Sequence, residues 1–458
     1  MPLLYVGIGI VLLLILMLWL KFDAFFALLI TAMLVGLLNQ MPIIEVLDSI
    51  LAGIGSTMGS IILILVFGAM LGKLIEESGA AHTITHRLTD KFGLKNIQYV
   101  ILVTGFLVGL PMMYNASFLV LIPLIYTFAY TTKLPLMYLG IPLSATLSIA
   151  HGYLPPHPAP TYVAIVYDAD INVTLLYGLV PVIPACIIAG IWLSRFFKNL
   201  KVEPPAELFQ PKEFKKENLP SLGISILTTL IPVILMLLGA VIDLSYGQHE
   251  DYSEIVTASI QNLAMANTML ILVNILKFFS DPNMALMTSV LIGLYTLGIK
   301  HGRTMTSLMK SMSKAVSSIA MIVLIIAAGG AFKQVLVDSG VADYIKGIAE
   351  GITFNPLILA WCIAAVIRLA IGSATVATMT AAGIMIPIVG ASNIQPELMV
   401  LATGSGSLMF SHFNDIGFWM FKEYYNVSIK HTFLIWTVME SLVAIVGLVC
   451  ALLLNMIL

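Results

Sequence analysis

The chain has 458 residues, 59% of them hydrophobic and 10% charged, with a formal net charge of −2. A soluble domain carries about 25% charged residues, so this composition excludes one and indicates a polytopic membrane protein. No basic tract points to nucleic acid. Cys186, Cys362 and Cys450 stand apart in apolar runs, with neither metal-ligand spacing nor a disulfide framework.

A membrane-spanning helix needs about 20 mainly apolar residues. In chain order the candidates are 3–20, 22–38, 55–72, 172–197, 221–244, 283–299, 315–331 and 431–455. The first has no basic leader and no small-residue cleavage site, so it reads as a retained span. Residues 97–131, 134–170, 355–390 and 397–421 are also apolar, but Gly, Pro, Asn and His interrupt them.

Lys and Arg in short loops set orientation. Residues 73–95, 195–217 and 300–314 hold fourteen of the 22 Lys and Arg, which predicts that all three loops are cytoplasmic. Parity then keeps 245–282 outside. Residues 256–279, interrupted by Gln261, Asn262, Asn267, Asn274 and Lys277, are expected to form an interfacial helix. Both termini fall on the periplasmic or extracellular side.

Gly68 to Ala81 resembles Gly329 to Ala342, 261 positions on, and His151 and His412 share that offset. With the loop orientation, this predicts two inverted repeats, the arrangement of many secondary transporters. The first is 1–197, with a re-entrant hairpin at 97–131 and a broken span at 134–170. A cytoplasmic linker, 198–220, joins it to the second, 221–458, with a hairpin at 355–390 and a broken span at 397–421. The expected fold is an all-α polytopic membrane protein with about ten full crossings, two re-entrant hairpins and two broken spans.

Polar groups and irregular backbone are tolerated at membrane depth only where they line a cavity or are buried in protein. The first hairpin breaks at Gly109 to Ser117, where Pro111 removes a donor and Asn115 offers an amide to a hydroxyl-rich solute. Ser117 is a further candidate contact. The first broken span holds His151 and His157 among four prolines, which rules out a regular helix there. Either histidine can bond a carboxylate or carry a proton. In the second hairpin, Gly372, Ser373, Ala374 and Thr375 are expected to form a tip whose free amides bind an anion. Arg368 either pairs with a substrate carboxylate or is structural. The second broken span brings His412, Asn414 and Asp415. Asp415 is the carboxylate expected at midplane depth, either exchanging a proton or paired permanently with His412.

No P-loop and no Ser-His-Asp context suggests an enzyme, and nothing calls for a cofactor or metal. Transport must then run on an ion gradient or on the solute's own gradient.

These motifs resemble the gluconate permease family: Gly68 to Gly79, His151 to Pro158, Arg368 to Gly383 and Ser411 to Trp419. The resemblance covers nearly the whole chain. It implies an inner-membrane symporter that imports gluconate or a related sugar acid with protons. It also implies membership of the wider ion-transporter superfamily, whose members tend to be homodimers with paired hairpins and elevator-type motion. The chain departs from the family pattern at Asn115, where a glutamate is expected, and at Ala159, where a glycine is common. An asparagine cannot titrate. An uncoupled facilitator or channel for a small organic anion is the alternative.

Overall fold

The computed structural model describes residues 2–200, 202–203, 219–246, 263–341, 354–412 and 415–458. These residues form helices joined by turns, with no strand among them. Among the described residues, eight helices are long and apolar enough to cross a membrane, or nine if one bent pair counts as a span. This is fewer than the ten expected. Ala24–Leu38, for example, has 15 residues, which at 1.5 Å per residue span about 22 Å and fall short of a hydrocarbon core of about 30 Å. The candidate 55–72 is the middle of one 36-residue helix, Ile43–Ser78.

That helix stops at Gly79, where φ is +75°, a backbone state that suits a residue without a Cβ. Ala320–Asp338 is likewise closed by Gly340 at φ +72°, 261 residues further on. The two helices pack at their glycines. A Cβ on Gly330 would sit 2.6 Å from the carbonyl oxygen of Gly53. Between lipid-embedded helices, where expulsion of water supplies no drive, such close approach gives the dispersion contact that holds them together.

The interrupted stretches are helix–break–helix. Ile97–Gly109 and Tyr114–Thr132 flank Leu110 to Met113, and Pro356–Ile371 and Ala374–Ala391 flank Gly372 and Ser373. Leu136–Tyr153 and Pro158–Val166 flank the proline-rich break, which holds a cis peptide between Pro155 and Pro156. Pro396–Gly406 is followed by a turn at 407–410, and the next helix is Ile416–Tyr424.

A buried aromatic cluster locks the elements on either side of these breaks together. The Phe118 ring lies 5.6 Å from Tyr424 and 5.7 Å from Tyr425, edge to face. The Tyr425 hydroxyl donates to the Gly140 carbonyl at 3.0 Å. Each such aromatic pair adds roughly 0.5–1.5 kcal/mol beyond its area.

Two of the basic loops, 73–95 and 300–314, lie side by side. Arg303 Nη2 donates to Glu77 Oε2 at 2.7 Å, and Ser311 Oγ donates to the same oxygen at 2.7 Å. Leu219 to Ser221 line a pocket with His82, His86 and Arg87. Leu263–Ser280 packs on Leu222–Tyr246, where Lys277 pairs with Asp243. The expected loop 245–254, Gln261 and Asn262 lie wholly or largely outside the described residues, as does most of the linker.

Candidate functional site

The second hairpin's break is built by its own sequence. Gly372 takes φ +82° and its N–H donates to the Arg368 carbonyl at 3.0 Å, ending the first helix. Ser373 follows in extended backbone and caps the next helix, its hydroxyl accepting from the Val376 N–H at 3.3 Å. The first-turn amides of a helix have no intrahelical acceptor, and they favour negative charge.

One turn before the break, Arg368 is 2% exposed. Its Nη2 donates to Ser411 Oγ at 2.8 Å and forms an ion pair with the Asp415 carboxylate. Its Nε and Nη1 have no hydrogen-bond partner among the described residues. Asp415 also caps Ile416–Tyr424, accepting from the Gly417 N–H at 2.8 Å, and it accepts from the Ser411 hydroxyl. Trp436 Nε1 donates to that same Ser411 oxygen at 2.7 Å. The hydroxyl thus gives one bond and takes two, its full complement.

Arg368, Asp415, Gly417 and Trp436 line a cavity of about 590 Å³. Asn115 and His151, in helices that flank two of the breaks, line it with Arg368, Gly372, Ser373, Ala374, Thr375 and Asp415. Asp415 is therefore paired with Arg368 rather than with His412.

Three other expected residues lie elsewhere. Ser117 is fully buried in its helix, its hydroxyl turned back to the Met113 carbonyl at 3.1 Å. His412 is not on the cavity wall, and its Nε2 lies 3.2 Å from the Leu369 carbonyl oxygen. His157 faces a second cavity, about 520 Å³, with its Nδ1 3.4 Å from His151 Nδ1. Asn414 lies outside the described residues.

The sequence reading missed Ser148, Trp436 and Glu440, all on the cavity wall. Glu440 is 1% exposed and accepts from the Ser148 hydroxyl. Asp415 is thus not the only carboxylate at this depth. A signal for it existed, since Glu440 is the one acidic residue within the apolar run 431–455, and an ionisable group inside a span is a functional candidate by default. Among the described residues, no group of three or more His, Cys, Asp and Glu could hold a metal ion.

The model of the GntP family permease matches residues 1–457. The chain is 43% identical to a high-affinity gluconate transporter of Escherichia coli (strain K12), over 100% of both chains. It is 44% identical to the Gnt-II system L-idonate transporter of the same organism and 41% identical to a gluconate permease of Bacillus subtilis (strain 168), each again over 100% of both chains. Among solved structures, Neisseria gonorrhoeae MtrF, described as one of a class of antimetabolite efflux pumps, superposes with a TM-score of 0.61. The match covers 91% of this chain and 85% of that one at 16% identity. The Alcanivorax borkumensis YdaH transporter gives a TM-score of 0.56 at 16% identity, over 88% of this chain and 87% of that one. The two structures carry the fold alone. The sequence matches run from end to end, and the chain belongs to the GntP permease family, as a multi-pass membrane transporter and not an enzyme.

Proposed function

We propose that this protein imports gluconate or a closely related sugar acid into the cell across the inner membrane, in symport with protons. The observation that carries this reading is the lining of the 590 Å³ cavity. A buried guanidinium with two nitrogens unbonded among the described residues, a helix start at Ser373, the Asn115 amide and the His151 imidazole all border one space. A carboxylate meets the cation and the helix-start amides, while amide and imidazole suit hydroxyls. Relatives at 41–44% identity carry gluconate or L-idonate in their names.

The second cavity supplies a route to the face with the basic loops. It shares Met113, Ala116, Ser318 and Ile322 with the first, and Lys73 and Lys314 stand on its wall. In this reading the helix–break–helix stretches 97–131 and 355–390 are re-entrant hairpins of two inverted repeats, 1–197 and 221–458. An elevator-type movement of hairpins and broken spans carries the site across, in a homodimer whose basic loops are cytoplasmic and whose termini are periplasmic.

Uptake of labelled gluconate into proteoliposomes tests the proposal. Accumulation above the outside concentration is expected only with an inward proton gradient. Equilibration alone, unchanged by that gradient, would favour the uncoupled facilitator, which the non-titrating Asn115 also suits. No uptake of any aldonate would overturn the substrate class.

A further inference from the structure

Glu440 is a buried acid on the cavity wall, with no cation of its own among the described residues. Its carboxyl group accepts from the Ser148 hydroxyl, a neutral group. The nearby guanidinium, Arg368, is already paired with Asp415, and Asp415 is further held by Ser411 and the Gly417 N–H. The other titratable groups on the same cavity wall are His151 and Tyr114. Tyr153, at the end of Leu136–Tyr153, donates its hydroxyl to the carbonyl of Val443, one turn along the Glu440 helix. The charges of Arg368 and Asp415 cancel, so the net charge of the wall turns on Glu440 and His151.

An ionised carboxylate in a low-dielectric site without a counter-charge is strongly disfavoured against its neutral acid. A sugar acid brings a second negative charge into the same 590 Å³. Two like charges about 8 Å apart, at an effective dielectric constant of about 20, oppose each other enough to weaken binding roughly thirty-fold.

We propose that Glu440 is the proton-carrying residue of this transporter. The assignment rests on the sugar-acid transport reading. Glu440 takes a proton from the acidic side as the anion binds, crosses as the neutral acid, and releases the proton as the carboxylate on the other side once the anion has left. One proton accompanies one anion. Asp415 stays paired with Arg368, so coupling needs no carboxylate at Asn115.

The test uses the full chain in proteoliposomes, with labelled gluconate as the probe and exchange and accumulation measured from about pH 6 to about pH 8. In the unmodified protein, half-saturation for exchange should rise at least tenfold across that range, and an inward proton gradient should drive accumulation. Glu440→Gln should exchange gluconate with an altered but pH-independent half-saturation, and it should not accumulate. Glu440→Asp should keep both pH dependence and accumulation, with the midpoint moved. Ser148→Ala, which removes the hydroxyl from the carboxyl group, should also move the midpoint. If Glu440→Gln accumulates gluconate with the unmodified pH profile, the assignment falls and the transport reading stands. If His151→Gln abolishes the pH dependence while Glu440→Gln keeps it, the proton belongs to the imidazole. If Glu440→Gln is inactive even in exchange, an unmoved midpoint in both Glu440→Asp and Ser148→Ala overturns the assignment, and a moved one supports it. If the unmodified protein neither exchanges nor accumulates any aldonate, the transport reading fails and the assignment with it.

Discussion

The indole N–H of Trp436 meets the hydroxyl oxygen of Ser411 at 2.7 Å. That contact joins the last membrane helix to the Arg368–Asp415 pair, because Ser411 bonds both partners of the pair. Trp436→Phe removes the donor and keeps most of the ring. The expected result is a loss of about 1 kcal/mol in stability and a larger proportional loss of uptake, since Ser411 is no longer oriented. Melting in detergent alongside initial uptake rates checks both.

The ion pair itself gives a sharper contrast. Arg368→Gln and Asp415→Asn should each destabilise by about 3–5 kcal/mol, because each strands a buried charge. The double variant should melt closer to the unmodified protein than either single one, and it should still fail to bind gluconate. Recovery of binding in the double variant would show that the guanidinium does not meet the substrate.

At Gly372, φ of +82° sets the break between the two helices. Gly372→Ala places a Cβ in the left-handed region at about 1–2 kcal/mol. Half-saturation for gluconate should rise, because Ser373 and the amides behind it move with the turn. An unchanged half-saturation would remove the tip from the binding site.

Asn115→Glu introduces another carboxylate into the cavity, where the one cation on the described wall, Arg368, is already paired with Asp415. Gluconate affinity should fall more at about pH 8 than at about pH 6, since protonation relieves the repulsion at the lower pH. Equal loss at both values would mean that position 115 does not face the substrate.

The Arg303–Glu77 contact places the 73–95 and 300–314 loops side by side. In otherwise Cys-free protein, cysteines introduced at Lys95 and Lys310 should react with an impermeant thiol reagent only from the cytoplasmic side. Labelling of one from each side would break the orientation.

Much of this architecture could be read from the chain. The Gly372-Ser373 break was legible because glycine marks a helix end and serine a helix start. The prolines from Pro155 to Pro160 were as plain. Crossing number was less so, since apolar runs such as 22–38 satisfy composition without the length their helices then need. Glu440 escaped because one carboxylate hardly changes the mean of a strongly apolar window. Ser117 misled for the opposite reason. A hydroxyl on a membrane helix can satisfy itself on its own preceding turn, so its presence in a polar stretch says little about where it points. Pairing was the least legible. Nothing in the spacing of Arg368 and Asp415, 47 positions apart, says that they meet, and His412 was nearer in the chain.

The crossing of Gly53 and Gly330 limits how the molecule can move. With backbone this close to backbone, the two long helices can swivel about their contact, but a slide of one residue would drive a carbonyl into an α-carbon. Any stroke that turns the cavity from one side of the membrane to the other must therefore treat these two helices as one body, carried or left behind together.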